Sequence, residues 1–105
     1  MEKIRAIVKR PDEAIGHMTN VSNSLSNLQR LVGGHIEAVH IGNVVVLCNE
    51  EGRLKNLPYN CWVGGEVTGT AFVGDIVVVA EKDGDFIGLP EDFTMTVWKQ
   101  VYLRG

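Results

Sequence analysis

Cysteine is almost missing from this chain: only Cys48 and Cys61 occur in 105 residues, at a spacing that fits neither a zinc site nor a redox pair. A chain of this length buries enough surface to fold without cross-links, so both are read as reduced, buried thiols of a cytoplasmic protein. Long apolar runs are missing too. The longest, residues 44–48 and 76–80, fall far short of the roughly 20 residues that cross a bilayer, so no membrane segment is expected. MEKIRAIVKR at the N-terminus never opens into the apolar core of a signal peptide, and the mature chain is expected to begin there. A net charge of −3 is too mild and of the wrong sign for a protein that works by neutralising phosphates, so nucleic acid is not an expected partner.

Signatures of chemistry are equally scarce. Gly69 and Gly74 have the spacing of a phosphate loop, yet Asp75 and Ile76 stand where Lys and Ser or Thr are required. No G-x-S-x-G occurs, and Ser22, Ser24 and Ser26 suit helix initiation better than nucleophilic attack. His17, His35 and His40 are too scattered for a metal site, and Asp83 and Asp85 lack the further oxygen ligands of a calcium loop. No catalytic residue, metal or cofactor is therefore assigned. Glu50 and Glu51 remain as the only acid–base pair to weigh, although adjacent side chains diverge in most backbones.

What is present is an ordinary globular balance, 45% hydrophobic and 22% charged, expected to fold as one small domain over residues 1–105. Ile4, Ala6 and Val8 alternate with Lys3, Arg5 and Lys9, the period-2 pattern of a strand with one wet, basic face. Leu25, Leu28, Leu31 and Val32 follow helical spacing behind the N-cap candidates Ser22, Asn23 and Ser24, and Gly33-Gly34 stops the helix. Residues 35–41 and 44–48 read as a hairpin across Gly42-Asn43, the second strand lacking polar alternation and so covered on both faces. Residues 67–73 and 76–80, parted by Gly74-Asp75, suit a hairpin or one long bulged strand, and KDGD at 82–85 marks another turn before a short strand. Pro90 is placed to open a helix with Glu91 and Asp92 in its first turn and Phe93, Val97 and Val101 on one face, with a strand over TMTVWKQVYL as the alternative. The expected fold is α+β: a mostly antiparallel sheet of about five strands packed with one or two helices.

NEEGRLKNLPYN, residues 49–60, is the richest polar stretch. LQRLVGGHIEAV, VLCNEEGRLKNLPYN and VTGTAFVGD together make the chain resemble an uncharacterised family of small phage, plasmid and bacterial proteins. The shared features are Gly33-Gly34, the Asn-Glu-x-Gly turn at 49–52, the Leu-Pro-x-Asn step at 57–60 and Gly69-Thr70. The resemblance carries no activity; it implies a mobile-element setting, in which small accessory proteins bind host components.

Two readings of the stretch follow. In one, Asn49 and Asn60 fix backbone corners. In the other, Asn49, Glu50, Arg53, Lys55, Tyr59 and Asn60 present amide, charged and aromatic groups to a host protein or a small polar ligand, as loops on a rigid sheet commonly do. The expected function is a non-enzymatic binding protein. A small hydrolase or transferase using Glu50 or Glu51, and a self-assembling module that dimerises through Trp62, Trp98 and Tyr102, are the alternatives.

Overall fold

The computed structural model describes residues 2–64 and 68–104. The elements run β1 (Lys3–Lys9), β2 (His17–Ser22), α1 (Leu25–Val32), β3 (Ile36–Ile41), β4 (Val44–Asn49), β5 (Tyr59–Gly64), β6 (Gly69–Val73), β7 (Ile76–Lys82), β8 (Asp85–Ile87), α2 (Met95–Val97), a π-helical turn (Trp98–Tyr102) and β9 (Leu103–Arg104). Among the described residues there are two antiparallel sheets. The larger has the order β2-β1-β7-β4-β3, with β8 on the far end of β7; the smaller is β6-β5-β9. Over the described residues the fold is thus mostly β, with nine strands and two short helices, rather than the α+β fold with one sheet of about five strands expected from sequence.

β4 and β7 explain why. Val44, Val46 and Cys48, with Ile76, Val78 and Ala80, face a core shared with Cys61, Val63 and Phe72 of the small sheet. The intervening Val45, Leu47, Val77 and Val79 face a second core under Leu28 and Val32 of α1. Residues 44–48 and 76–80 of these central strands are apolar because one side packs on a sheet and the other on a helix.

α1 forms as its sequence predicts. Ser24 is the N-cap, its side chain accepting from the Asn27 N–H, and Gly33 ends the helix at φ 78°, where its N–H meets the Arg30 carbonyl. Leu25 alone leaves the apolar stripe and stays exposed. The β3–β4 hairpin and the β7–β8 turn also form as expected; Asp83 and Gly84 both take positive φ, which a two-residue turn of this hand requires.

Three sequence expectations are corrected. The basic row of β1 is not a wet face. Lys9 is 2% exposed, and the Arg5 guanidinium donates to the carbonyls of Pro90 at 2.7 Å and Phe93 at 2.8 Å. Lys3 stays exposed and Arg5 is half-buried, so alternation marked a polar row that the fold covers progressively toward Lys9. Second, residues 69–73 and 76–82 form neither a hairpin nor one bulged strand: the chain crosses from the small sheet to the large one at Gly74, whose φ of 73° makes the corner. Val67 lies outside the described residues. Third, Pro90 opens a turn closed by Phe93 N–H to Pro90 C=O at 2.9 Å, and the helix waits for the Thr94 cap. It then widens, the Leu103 N–H reaching the Trp98 carbonyl five residues back. Phe93 and Trp98 are buried, whereas Val101 is exposed. Both readings of this segment are partly met, since the turn runs straight into β9.

Candidate functional site

Residues 49–62 leave β4, turn through a polar loop and enter β5. Asn49 is buried at the exit of β4. Its Oδ1 accepts the Glu51 N–H at 2.8 Å, and its Nδ2 donates to the Val32 carbonyl at the end of α1 at 3.3 Å. Gly34 permits that approach, because a Cβ there would stand 2.9 Å from Asn49 Nδ2. Gly52 is buried, and a Cβ on it would lie 2.9 Å from Val73. Leu57 closes the loop with its N–H on the Gly52 carbonyl at 3.0 Å, and its side chain rests where any Cβ on Gly74 would be.

Asn60 holds the other end. Its Nδ2 donates to the carbonyls of Lys9 at 2.9 Å and Gly74 at 2.7 Å, and its Oδ1 accepts from Lys9 Nζ at 2.7 Å. One side chain therefore ties β1, β5 and the sheet-to-sheet corner together. Asn49 and Asn60, 6% and 7% exposed, are not on the rim where a partner would meet them; the corner-fixing reading accounts for both. Gly33-Gly34, the Asn-Glu-x-Gly turn, the Leu-Pro-x-Asn step and Gly69 all meet packing demands of this kind.

With the amides engaged internally, the loop projects its other side chains. Glu50, Arg53, Leu54, Lys55 and Tyr59 are all exposed. Arg53 is steadied by donation to the Ala71 carbonyl at 2.8 Å, and Lys55 stands 3.7 Å from Glu51. A hollow of about 170 Å³ on one side of the loop brings together Asn49, Glu50, Arg53 and Leu54 with Glu37 and residues 70–73 of β6. A second, of about 290 Å³, lies on the other side against Pro58, Leu57 and the end of α1 and includes Lys55. Tyr59 lines neither. Glu50 lines the first hollow and Glu51 does not, so the two carboxylates are not brought together as an acid–base pair. Cys48 lines the first hollow as well; burial pushes its thiol up to about 11, with the Glu37 charge adding to the effect. Burial likewise raises Cys61 to about 11.

Sequence reasoning missed how β5 presents its aromatics. Residues three apart on a strand ordinarily face opposite ways. Here the register shifts between Tyr59 and Cys61, so Tyr59 pairs with Val73 and Trp62 with Ala71. Val73 and Ala71 are two apart on β6 and share a face; Tyr59 and Trp62 therefore share it too. Arg104, opposite Trp62 on β9, joins them. The indole of Trp62 lies across Gly69, whose added Cβ would be 2.6 Å from Nε1. Gly69, which leaves room for an indole on the neighbouring strand, is the signal that was available. Of the aromatics weighed as a dimer surface, Trp98 is wholly buried and donates to the Ile15 carbonyl at 2.9 Å. Tyr102 packs on Phe93 with ring centroids 5.3 Å apart. Trp62 alone remains outward.

Among the described residues no group of His, Cys, Asp and Glu is arranged to hold a metal ion, and no helix is long and apolar enough to cross a membrane. The model of a family described as a domain of unknown function, DUF3846, matches residues 4–102, so the chain belongs to that family. No curated protein and no solved structure matches it.

Proposed function

We propose that this member of the DUF3846 family is a non-enzymatic binding protein, a phage or mobile-element accessory factor of the cytoplasm that recognises a host protein through the 49–62 segment. The observation that carries the reading is the shift beside Asn60, which sets Tyr59 and Trp62, 53% and 38% exposed, on one face. Trp, Tyr and Arg are the residues that dominate binding energy at protein interfaces, and this face joins two aromatics to Arg53 and Arg104. Leu54, 83% exposed, adds an apolar group at the loop apex that no internal contact explains. Rigidity supports the reading further: a loop pinned at both ends by buried amides loses little freedom on docking.

A protein partner fits better than a small polar ligand. The exposed side chains project outward, and the amides that would read a small ligand are engaged inside the fold. The test is affinity capture from host lysate with the intact chain and with Tyr59→Ala/Trp62→Ala and Leu54→Ala variants, followed by mass spectrometry and a binding titration of any captured protein. A specific partner whose affinity falls at least about tenfold in the aromatic double variant is expected, the loss typical of interface anchors. A partner that binds every variant alike would remove the 49–62 segment from the interface.

A further inference from the structure

We propose that a hollow between α1 and the β1–β2 edge of the large sheet is a second binding site, for a small phosphorylated ligand. It is an open hollow of about 380 Å³, within the range of small-molecule sites. Four of its lining residues, Lys3, Arg10, His17 and Arg30, are basic, and none is Asp or Glu. That segregation stands out in a chain where 13 acidic residues outnumber 10 Lys and Arg.

The positive charge there is not neutralised from within. Among the described residues the ion pairs are His17–Glu13, His40–Glu81 and Lys55–Glu51, so none of Lys3, Arg10 and Arg30 is in a direct ion pair with a described carboxylate. Glu13 stands at one edge of the hollow: it accepts the Arg10 backbone N–H at 2.9 Å and meets His17 Nδ1 at 3.0 Å, and its charge acts on His17 and Arg10 together. One carboxylate against these cations leaves Lys3 and Arg30 as the local excess. Like charges gathered in a concave surface focus the field and draw in a counter-ion. The Arg30 fork is already oriented, its Nη2 donating to Asn27 Oδ1 at 2.7 Å, and guanidinium groups match phosphate oxygens two at a time.

The rest of the lining defines what the phosphate is attached to. Val8, Val21 and Leu31 supply an apolar surface, and Thr19 adds a hydroxyl between it and the cations. An anionic head with a compact organic body fits that division; a bare inorganic anion leaves the apolar part unused. β1 thereby splits its basic residues: Arg5 and Lys9 are consumed inside the fold, while Lys3, and Arg10 just beyond the strand, serve the hollow. Arg30 and Leu31 also line the hollow beside Pro58, but Leu54, Tyr59 and Trp62 line neither hollow, so the ligand site is separate from the aromatic face proposed to meet a host protein.

The experiment titrates the intact, isotopically labelled chain with ADP and with inorganic pyrophosphate at low ionic strength, following backbone amides by NMR. Saturable shifts at Thr19, Asn27 and Leu31 are expected, with ADP binding more tightly than pyrophosphate. Arg10→Gln/Arg30→Gln should weaken ADP at least about tenfold, the loss of two charge-assisted contacts, and Lys3→Gln should weaken it less. Arg53→Gln should leave binding unchanged, and equal thermal midpoints confirm that the variants fold. Absence of saturation overturns the site, as does an equal loss in Arg53→Gln, which would reveal diffuse attraction. Pyrophosphate binding as tightly as ADP overturns the assignment of an organic body to Val8, Val21 and Leu31.

Discussion

Lys9 Nζ donates to Asn60 Oδ1 at 2.7 Å across the junction of the two sheets, with both residues almost wholly buried. A buried ammonium is tolerated only when its donors are met. Lys9 also reaches the Arg10 carbonyl at 3.4 Å, but Asn60 is its close partner.

Asn60→Ala should therefore be among the most damaging single changes in the chain. It removes the acceptor of Lys9 Nζ and leaves the Lys9 and Gly74 carbonyls without their donor. A loss of about 3 kcal/mol is expected from leaving a buried cation without its close neutral acceptor, measured by urea denaturation. Lys9→Met/Asn60→Leu should recover part of it, because replacing both partners by apolar groups avoids the stranded charge.

Arg5→Lys should behave as a disruptive change. Arg5 Nη1 meets two carbonyls at 2.7 and 2.8 Å and a third, that of Leu89, at 3.5 Å, and a lysine ammonium, on a side chain one bond shorter, does not reach that position. A loss of roughly 1–3 kcal/mol follows from the charge-assisted bonds forfeited. Hydrogen exchange should rise first at Leu89, whose N–H donates to the Arg5 carbonyl at 2.8 Å, and at Phe93.

How much of this was legible in the sequence depended on the range of the interactions. α1, the β3–β4 hairpin and the β7–β8 turn were readable because caps, glycines and turn residues act within a few positions. Arg5 and Lys9 were misread because their partners lie 85 and 51 residues away; alternation locates a polar row without saying what covers it. The 49–60 stretch was found, yet the direction of the Asn49 and Asn60 amides was not, since the same Asn suits a rim or a corner. Residues 94–104 read ambiguously because they are divided among a helical turn, a π turn and a strand.

Gly69→Ala should lift the Trp62 indole off β6. The added methyl would begin 2.6 Å from Nε1, well inside contact distance, and Trp62 has solvent above it. Trp98 is fully buried, so any new iodide quenching of tryptophan fluorescence reports Trp62. Quenching should increase, with stability falling by about 1–3 kcal/mol for the overpacked contact.

Cys48 and Cys61 should resist alkylation at pH 8 in the native protein and react once it is unfolded, because burial holds both thiols protonated to about 11. The folded value is raised above the unfolded one, near 9.0. The unfolded chain therefore loses these protons first as pH rises, and stability present below pH 9 should decline between about 9 and 11. Chemical denaturation across that window checks the slope; Cys48→Ala/Cys61→Ala should flatten it.

The two-faced packing of β4 carries a further implication for how the chain finds its alignment. Since Val44, Val45, Val46, Leu47 and Cys48 are all buried, sliding this strand by one position would exchange aliphatics for aliphatics and meet little penalty from polarity alone. The tight reversal at Gly42, together with the grip of Asn49 on the end of α1, is what forbids the slide. An extra residue inserted between Ile41 and Val44 would displace the strand by about 3.3 Å, pull Asn49 off the Val32 carbonyl and misplace everything the loop displays, in a protein whose interior still looked adequately greasy.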